Sequence, residues 1–271
     1  MNQLILDKSL PEEELAREWN KLNKYNPTDN KISFVGNKIL YHYFIEELCK
    51  TKRKNKLSLF EIYNTPEELE KLDQQVRKRN RTGTLNVRRF ECWRINNGSI
   101  TFFKPSNAMY LYKKYQATKV LDPTAGWGGR GLGAVSMGLQ YTGIDTNINL
   151  REPYDKLFGD KITMIWEDCL SVDFSKIDYD FVLTSPPYED IELYSHMKIH
   201  KDFYKDFLVP MIDKCRKYNK GYTAINMSPQ MYKKLIKNGY EEAHLTENLK
   251  EQKNGKTPDL IYLWSVHKPR L

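Results

Sequence analysis

The sequence has no long hydrophobic run and no closely spaced cysteines. No window of its 271 residues approaches the roughly 20 apolar residues that a membrane-spanning helix needs. The first residues also lack the basic and apolar segments of a signal peptide, so we expect a soluble protein that is not exported. The four cysteines, Cys49, Cys92, Cys169 and Cys215, include no CxxC pair. This spacing predicts neither a zinc site nor a disulfide framework and indicates a reducing, intracellular compartment.

Basic residues outnumber acidic ones. The chain has 43 lysines and arginines against 35 aspartates and glutamates, which gives a formal charge of +8. Such an excess favours a polyanionic partner such as nucleic acid. An acidic small-molecule substrate is also compatible with it.

Residues 1–97 have the pattern of amphipathic helices. Apolar residues recur at helical spacing after Pro11, and again from about residue 38 to 50. Thr65-Pro66-Glu67-Glu68 predicts the start of a third helix, with a capping box and a proline in the first turn. The segment Leu57-Ser58-Leu59-Phe60 is expected to link the second and third helices. We therefore expect a small, mainly helical region here.

Several basic residues lie at the ends of these helices or beyond the third one. The candidates for contact with nucleic acid are Lys52, Arg53, Lys54, Arg77, Lys78, Arg79, Arg81, Arg88 and Arg89. Cations in this arrangement could lie along phosphates, or they could form only the solvated surface of a helical bundle. Phe90 and Trp93 stand among the arginines and favour nucleic acid, because aromatic rings can stack on bases.

Residues 98–271 form a second predicted domain. Short apolar runs alternate there with helical patterns, which predicts βα units on a mostly parallel sheet. The first strand, Lys119-Val120-Leu121, leads into the glycine-rich segment 122–131. Glycines between a strand and a helix let the backbone approach a ligand closely at the carboxyl end of the sheet. No P-loop lysine follows, so a nucleoside triphosphate is not the favoured ligand.

Acidic residues follow the next two predicted strands. Asp145 ends the second strand, where a carboxylate can accept hydrogen bonds from both hydroxyls of a ribose. Asp168 follows the third strand and could accept a hydrogen bond from the exocyclic amine of an adenine ring. Glu167 and Asp173 compete with Asp168 for this role.

The fourth predicted strand ends in Thr184-Ser185-Pro186-Pro187-Tyr188. Proline has a fixed φ and no N–H, so this segment cannot extend the sheet and presents its carbonyls outward. Its oxygen acceptors and the ring of Tyr188 suit a planar amine. We refer to residues 184–188 as the Ser-Pro-Pro-Tyr tip.

A glycine-rich loop, two acids, the Ser-Pro-Pro-Tyr tip and a final predicted antiparallel hairpin follow one another over about residues 100–266. This ordered combination resembles the class I S-adenosylmethionine-dependent methyltransferases, and more narrowly those that methylate exocyclic amines of DNA bases. The resemblance implies an α/β fold with a Rossmann-like seven-stranded methyltransferase sheet. An antiparallel C-terminal hairpin would close this sheet, and the helical region would precede it.

The resemblance also implies a cofactor and roles for individual residues. The cofactor would be S-adenosyl-L-methionine, and the residues expected to bind it are Lys104, Pro105, Asp122, Pro123, Ala125, Gly126, Trp127, Gly128, Asp145, Asp168 and Thr184. The catalytic set would be Ser185, Pro186, Pro187 and Tyr188. Ser185 Oγ and the Pro186 carbonyl would accept the hydrogens of the target amine, and Tyr188 would stack on a base flipped out of the duplex.

The sequence does not decide which base is the target. The order of the motifs favours adenine N6 in DNA, whereas cytosine-N4 enzymes more often have serine at the position of Ser185. A base amine in RNA is an alternative substrate, and a non-catalytic nucleic-acid-binding partner is an alternative function. His196 and His200 stand four residues apart with no third ligand suggested nearby, so no metal site is expected.

Overall fold

A computed structural model describes residues 8–27, 33–52, 55–79, 82–96, 101–187, 200–249 and 259–266. Within these ranges the helices before the sheet are α1 Glu12–Asn23, α2 Asn37–Lys50, α3 Leu59–Tyr63, α4 Pro66–Arg77 and α5 Leu85–Asn96. The bounds of α1, α2 and α4 agree with the helices predicted from sequence. Two further helices, α3 and α5, were not predicted.

Helix α3 lies where the sequence suggested only a linker, and it carries the capping box that was expected at Thr65. Glu61 N–H donates to Ser58 Oγ at 3.1 Å, and Ser58 N–H donates to Glu61 Oε2 at 2.8 Å. This reciprocal pair satisfies two amides that a helix start leaves without partners. The Thr65 hydroxyl instead donates to Glu61 O at 3.0 Å, so the predicted capping box at Thr65 is wrong.

In the described part of the chain, seven strands form one sheet in the order β3-β2-β1-β4-β5-β7-β6. Their bounds are β1 Lys119–Asp122, β2 Gln140–Ile144, β3 Thr163–Ile165, β4 Phe181–Thr184, β5 Tyr222–Met227, β6 Leu245–Glu247 and β7 Leu260–Ser265. Strands β1 to β5 pair in parallel, and β7 runs antiparallel to both β5 and β6. This sheet confirms the predicted seven-stranded methyltransferase fold with its antiparallel C-terminal hairpin.

The strand order reverses beside β1. From β1 the chain proceeds outward to β2 and β3, and then returns to β4 on the other side of β1. Open α/β sheets bind ligands at the carboxyl ends of their strands, at such a reversal. The ends of β1 and β4 are therefore the place where the fold itself predicts a site.

Helices cover both faces of this sheet. They are α6 Pro105–Lys114, α7 Gly129–Ser136, α8 Arg151–Phe158, α9 Val209–Tyr218 and α10 Pro229–Lys237. Val120, Phe181 and Leu183 pack in one cluster with α6 and α7, whereas Leu121 and Val182 pack in another with α9 and α10. The alternation follows from the two-residue period of a strand, which sends successive side chains to opposite faces.

The N-terminal helices share a hydrophobic core with part of the sheet domain. Phe44 of α2 belongs to the same cluster as Trp127, Tyr154 and Phe158. The ring centroid of Phe44 lies 5.5 Å from that of Tyr154 and 6.3 Å from that of Trp127. We refer to this cluster as the N-terminal core. It places the helical region directly against the segment that follows β1.

In the part of the chain that the structure describes, no helix combines the length and the apolar character that crossing a membrane requires.

Candidate active site

The glycine loop, residues 123–128 between β1 and α7, is fixed at its centre and open to one side. Ala125 N–H donates to Ile144 O at 2.9 Å, which ties the loop to the end of β2. The Tyr154 hydroxyl donates to Gly126 O at 2.9 Å. Gly126 has a φ of 57°, and a Cβ at this position would find only Thr124 O within 4 Å, at 3.8 Å. A ligand can therefore approach the loop backbone at Gly126 closely.

The second half of the glycine loop packs inward. Trp127 is 8% exposed, and its ring centroid lies 6.1 Å from that of Phe102 and 6.3 Å from that of Phe44. Gly128 has a φ of 73°, and a Cβ there would lie 3.2 Å from the ring of Phe158. These two predicted cofactor residues therefore anchor the loop to the N-terminal core.

Asp145 is held at the end of β2 by two backbone amides. Gly126 N–H donates to Asp145 Oδ2 at 2.7 Å, and Asn147 N–H donates to Oδ1 at 2.8 Å. Desolvation by burial raises the pKa of Asp145, and the two amide hydrogen bonds oppose that shift. Each carboxylate oxygen can accept a second hydrogen bond. Asp145 therefore keeps acceptors for a diol beside the open backbone of Gly126.

Asp122, in contrast, is completely buried. Its Oδ2 accepts hydrogen bonds from Arg130 Nε at 2.6 Å and from the Tyr141 hydroxyl at 2.7 Å. Its Oδ1 accepts one from Thr184 Oγ1 at 2.8 Å. A buried charge needs such partners, and here they join the ends of β1 and β4 to α7 and β2. We refer to these four residues as the buried network, in which the Asp122 carboxylate holds the protein's own elements together.

The Ser-Pro-Pro-Tyr tip starts from this network. Ser185 is half-buried, and its carbonyl accepts a hydrogen bond from Thr124 Oγ1 at 3.1 Å. Ser185 Oγ accepts one from Asn226 Nδ2 of β5 at 3.3 Å. The other predicted catalytic residues are Pro186, which is buried, Pro187, which is half-buried, and Tyr188, which lies outside the described residues. Ser185 thus lies between the glycine loop and β5, where the strand order reverses.

Lys104 and Pro105 lie beside α7, the helix that follows the glycine loop. A Cβ at Gly129 would be 1.9 Å from Phe103 O, so the backbone before Pro105 touches the residue that follows the glycine loop. Pro105 is the buried first residue of α6. The ammonium group of Lys104 lies 5.0 Å from the ring centroid of Phe34, a side chain that is 55% exposed. An exposed ring and a cation therefore lie next to the segment that packs against the start of α7.

The acids after β3 have different surroundings. Asp168 Oδ1 accepts from Leu170 N–H at 2.9 Å, which stabilises the turn after the strand. Glu167 is exposed at the same end of β3. Asp173 Oδ1 accepts from Ser175 N–H at 3.1 Å, and hydrogen bonds from Ser175 lower the pKa of Asp173. Asp173 thus caps a short 3-10 helix, whereas Asp168 and Glu167 remain beside the sheet edge.

Many of the predicted nucleic-acid contacts are occupied within the helical region. The ion pairs are Lys52 with Glu61 at 2.6 Å, Arg77 with Glu70 at 2.9 Å and Arg89 with Asp73 at 2.5 Å. Arg89 is only 14% exposed, so its ion pair joins α4 to α5. Arg79 donates to Asn96 Oδ1 at 3.2 Å, Arg88 is half-buried and Lys78 is exposed. The candidates that lie outside the described residues are Arg53, Lys54 and Arg81.

Among the described residues, no group of three or more His, Cys, Asp or Glu side chains could hold a metal ion. All four cysteines are buried free thiols. The ring of His200 packs 5.3 Å from that of Phe207, and His196 lies outside the described residues.

Sequence reasoning missed the buried residues that hold Asp122 in place next to the site. Arg130 lies eight positions after Asp122 on the following helix, and Tyr141 lies at the start of β2. Nothing in their spacing distinguishes them from surface residues. Asn226 gave a better signal, because it is a polar residue near the end of the strand that pairs with β4. Polar side chains at neighbouring carboxyl ends of parallel strands tend to meet at one edge of the sheet.

No protein-family model matches the chain, and no curated protein matches it. Solved structures do match. The methyltransferase domain of bacterial CtHen1 is 13% identical, with a TM-score of 0.43 over 60% of this chain and 97% of that domain.

Two further similar structures come from named bacteria. TrmN from Thermus thermophilus is 15% identical, with a TM-score of 0.45 over 59% of this chain and 48% of TrmN. The SAM-dependent methyltransferase from Agrobacterium tumefaciens is 19% identical, with a TM-score of 0.44 over 62% of this chain and 64% of that chain. The matched part of this chain thus spans about half the length of TrmN. Similarities at this level identify neither a substrate nor a cofactor for this chain.

Proposed function

We propose that this chain is an S-adenosylmethionine-dependent methyltransferase that methylates the exocyclic amine of a base in DNA, with adenine N6 favoured over cytosine N4. The observation that carries the proposal is a contact between the glycine loop, which is the predicted cofactor site, and the Ser-Pro-Pro-Tyr tip, which is the predicted target site. Thr124 of the glycine loop reaches the carbonyl of Ser185 on the tip at 3.1 Å. A methyl donor and a target amine react when they are held next to each other, which this adjacency allows.

The residues present suit S-adenosylmethionine. Asp145 has acceptors for the two ribose hydroxyls, and the open backbone at Gly126 leaves room for the nucleoside beside them. Asp168 or the neighbouring Glu167 would accept from the adenine amine. When bound, the cofactor supplies an electrophilic methyl group. The chain's own residues have to bring the amine to it and keep its lone pair available.

Ser185 is suited to that task. A serine hydroxyl has two acceptor lone pairs, and the amide of Asn226 uses one of them. The second would accept one hydrogen of the target amine, and the Pro186 carbonyl would accept the other. Accepting both hydrogens turns the nitrogen lone pair out of the ring plane, where it is a better nucleophile. Tyr188 would stack on the base, and a base in a duplex has to be flipped out to reach this position.

Phe34 and Lys104 support a nucleic-acid substrate. A ring for stacking next to a cation for a phosphate is the combination with which proteins bind extruded or single-stranded bases. Phe34 is 55% exposed and lies 5.0 Å from the ammonium group of Lys104, next to Phe103, whose carbonyl packs against the start of α7. Because Lys52, Arg77 and Arg89 already form ion pairs, we propose that the helical region contacts nucleic acid chiefly through this edge.

The test is incubation with labelled S-adenosylmethionine and separate DNA and RNA pools, followed by nucleoside analysis. N6-methyldeoxyadenosine is the expected product, and N4-methyldeoxycytidine would change only the base. Methylation of RNA alone would overturn DNA as the substrate. If no pool is methylated by a protein that binds the cofactor, the enzyme assignment fails and a non-catalytic nucleic-acid-binding partner is favoured. Asp145→Asn serves as the matched control for cofactor-dependent labelling.

A further inference from the structure

We propose that Thr124 is a positioning residue for methyl transfer. Its hydroxyl holds the Ser-Pro-Pro-Tyr tip in a fixed position relative to the glycine loop. This inference rests on the proposed function. Thr124 belongs to the glycine loop, yet its side chain points to β4. Its Oγ1 lies 2.5 Å from Thr184 Oγ1 and 3.1 Å from the Ser185 carbonyl. One hydroxyl therefore spans the gap between the two parts of the site.

The direction of these hydrogen bonds follows from the buried network. A hydroxyl carries a single hydrogen, and Thr184 donates its hydrogen to Asp122 Oδ1 at 2.8 Å. In the contact between the two threonines, Thr124 is consequently the donor. The same hydrogen is within reach of the Ser185 carbonyl, so Thr124 donates toward both residues at the end of β4.

The backbone of Thr124 is held by Arg130, which belongs to the same buried network. Arg130 donates from one terminal nitrogen to Thr124 O at 2.6 Å and to Asp122 Oδ1 at 3.3 Å. Its Nε donates to Asp122 Oδ2 at 2.6 Å. The guanidinium is planar and rigid, so it orients the Thr124 carbonyl and the Asp122 carboxylate relative to each other. The hydroxyl of Thr124 therefore projects toward the tip from an immobilised peptide.

The tip depends on such side-chain contacts. Pro186 and Pro187 have no N–H, so the sheet cannot hold them by donor hydrogen bonds beyond Thr184. Among the described contacts, Thr124 holds Ser185 at its carbonyl and Asn226 holds it at its hydroxyl. Loss of the Thr124 contact would let Ser185 shift relative to the cofactor. Small misplacements of a reacting group are costly, because the rate depends on near-attack geometry.

The decisive variants are Thr124→Val, which keeps the shape and removes the hydroxyl, and Thr124→Ser, which keeps the hydroxyl. We expect Thr124→Val to lower kcat about 10- to 100-fold, while the Kd for S-adenosylmethionine by calorimetry and the KM for the nucleic acid stay close to wild type. Thr124→Ser should recover most of kcat. A role confined to the stability of the fold would not lower kcat while leaving cofactor binding unchanged.

The matched control is Thr118→Val at the opposite end of β1. The Thr118 hydroxyl donates to Asp180 outside the candidate site, so its loss should leave kcat unchanged. A wild-type kcat in Thr124→Val would overturn the inference. So would equal damage in the valine and serine variants, or a fall in cofactor affinity that matches the fall in kcat. A wild-type protein that methylates neither DNA nor RNA overturns the proposed function itself, which is a different result.

Discussion

Arg130 Nε donates to Asp122 Oδ2 at 2.6 Å, and the two side chains are 5% and 0% exposed. An ion pair removed from water in this way is sensitive to the loss of one partner, because the remaining charge cannot be solvated. Asp122 is the first residue after the apolar part of β1, so the ion pair lies directly next to the candidate site.

Replacing Arg130 by Met should therefore be strongly destabilising. The variant keeps much of the side-chain volume and leaves Asp122 as an uncompensated buried charge, so we expect the free energy of unfolding to fall by about 3–5 kcal/mol. Urea unfolding measures this change. Arg77→Met is the matched control, because Arg77 and Glu70 are both exposed and such pairs contribute only about 0–1 kcal/mol. Similar losses of unfolding free energy in the two variants would contradict the role of Arg130 as the partner of a buried charge.

Asp145→Asn should weaken cofactor binding. An amide has one acceptor oxygen instead of two, and its NH2 group would face the Gly126 or Asn147 amide that now donates to the carboxylate. Hydrogen bonds to charged groups contribute about 1.5–3 kcal/mol, so we expect a rise in Kd of roughly 10- to 100-fold. Calorimetric titration with S-adenosylmethionine measures it. Asp173→Asn, in the cap of a 3-10 helix, should leave Kd unchanged.

Cofactor affinity should also fall as the pH is lowered. Burial raises the pKa of Asp145, so the free protein takes up a proton at this carboxyl more readily than an ordinary aspartate does. The ribose hydroxyls would donate to the charged form and lower the pKa in the complex, so binding requires loss of that proton. The Kd of the wild type should rise on acidification through the raised pKa, and that of Asp145→Asn should change less. Parallel pH profiles would rule out Asp145 as the ribose ligand.

Phe34→Ala should weaken binding of the nucleic acid and spare the cofactor. Stacking of a base on an aromatic ring contributes about 1–3 kcal/mol, which corresponds to a rise in KM of roughly 5- to 100-fold. Phe34→Trp should keep most of the affinity because it keeps the ring. Phe60→Ala is the control, since Phe60 is 44% exposed on α3 and makes no contribution to the candidate site. Steady-state kinetics at saturating cofactor separate these cases, and equal effects at Phe34 and Phe60 would remove Phe34 from the site.

The stability of the helical region should depend on His42. Leu10 N–H donates to His42 Nδ1 at 2.8 Å, which requires a neutral ring, and burial lowers the pKa of His42. The stabilisation is therefore present above the unfolded-state pKa of about 6.5 and is lost as the pH falls through the lowered folded-state pKa. Urea unfolding between neutral and mildly acidic pH should show this decline. His42→Asn, whose side-chain oxygen can accept the same bond at any pH, should show a smaller one.

The sheet could be predicted from sequence because its signals are local. Each strand is a short apolar run, and each chemically important residue follows such a run directly, as Asp145 follows β2 and Ser185 follows β4. The order of these elements along the chain was sufficient for the fold. Their meeting at one edge follows from the parallel arrangement of β1 to β5.

The parts that sequence could not predict depend on partners that are distant along the chain. Asp122 looked like a ligand contact because it precedes the glycine loop, but its burial becomes visible only when Arg130 and Tyr141 fold back onto it. Arg89 looked like a phosphate contact because of its charge, whereas its ion pair with Asp73 spans 16 residues. Helix α5 was missed because its basic and aromatic residues form no clear apolar stripe.

The N-terminal core has a consequence for engineering. Phe44 and Phe102 cover Trp127, and a Cβ at Gly128 would lie 3.3 Å from the ring of Phe44. Replacing the helical region by another module would therefore remove Phe44 from the indole of Trp127 in the glycine loop, and of these two rings only Phe102 would remain against it. A module that brings its own aromatic residue to the position of Phe44 could be exchanged without refolding the loop.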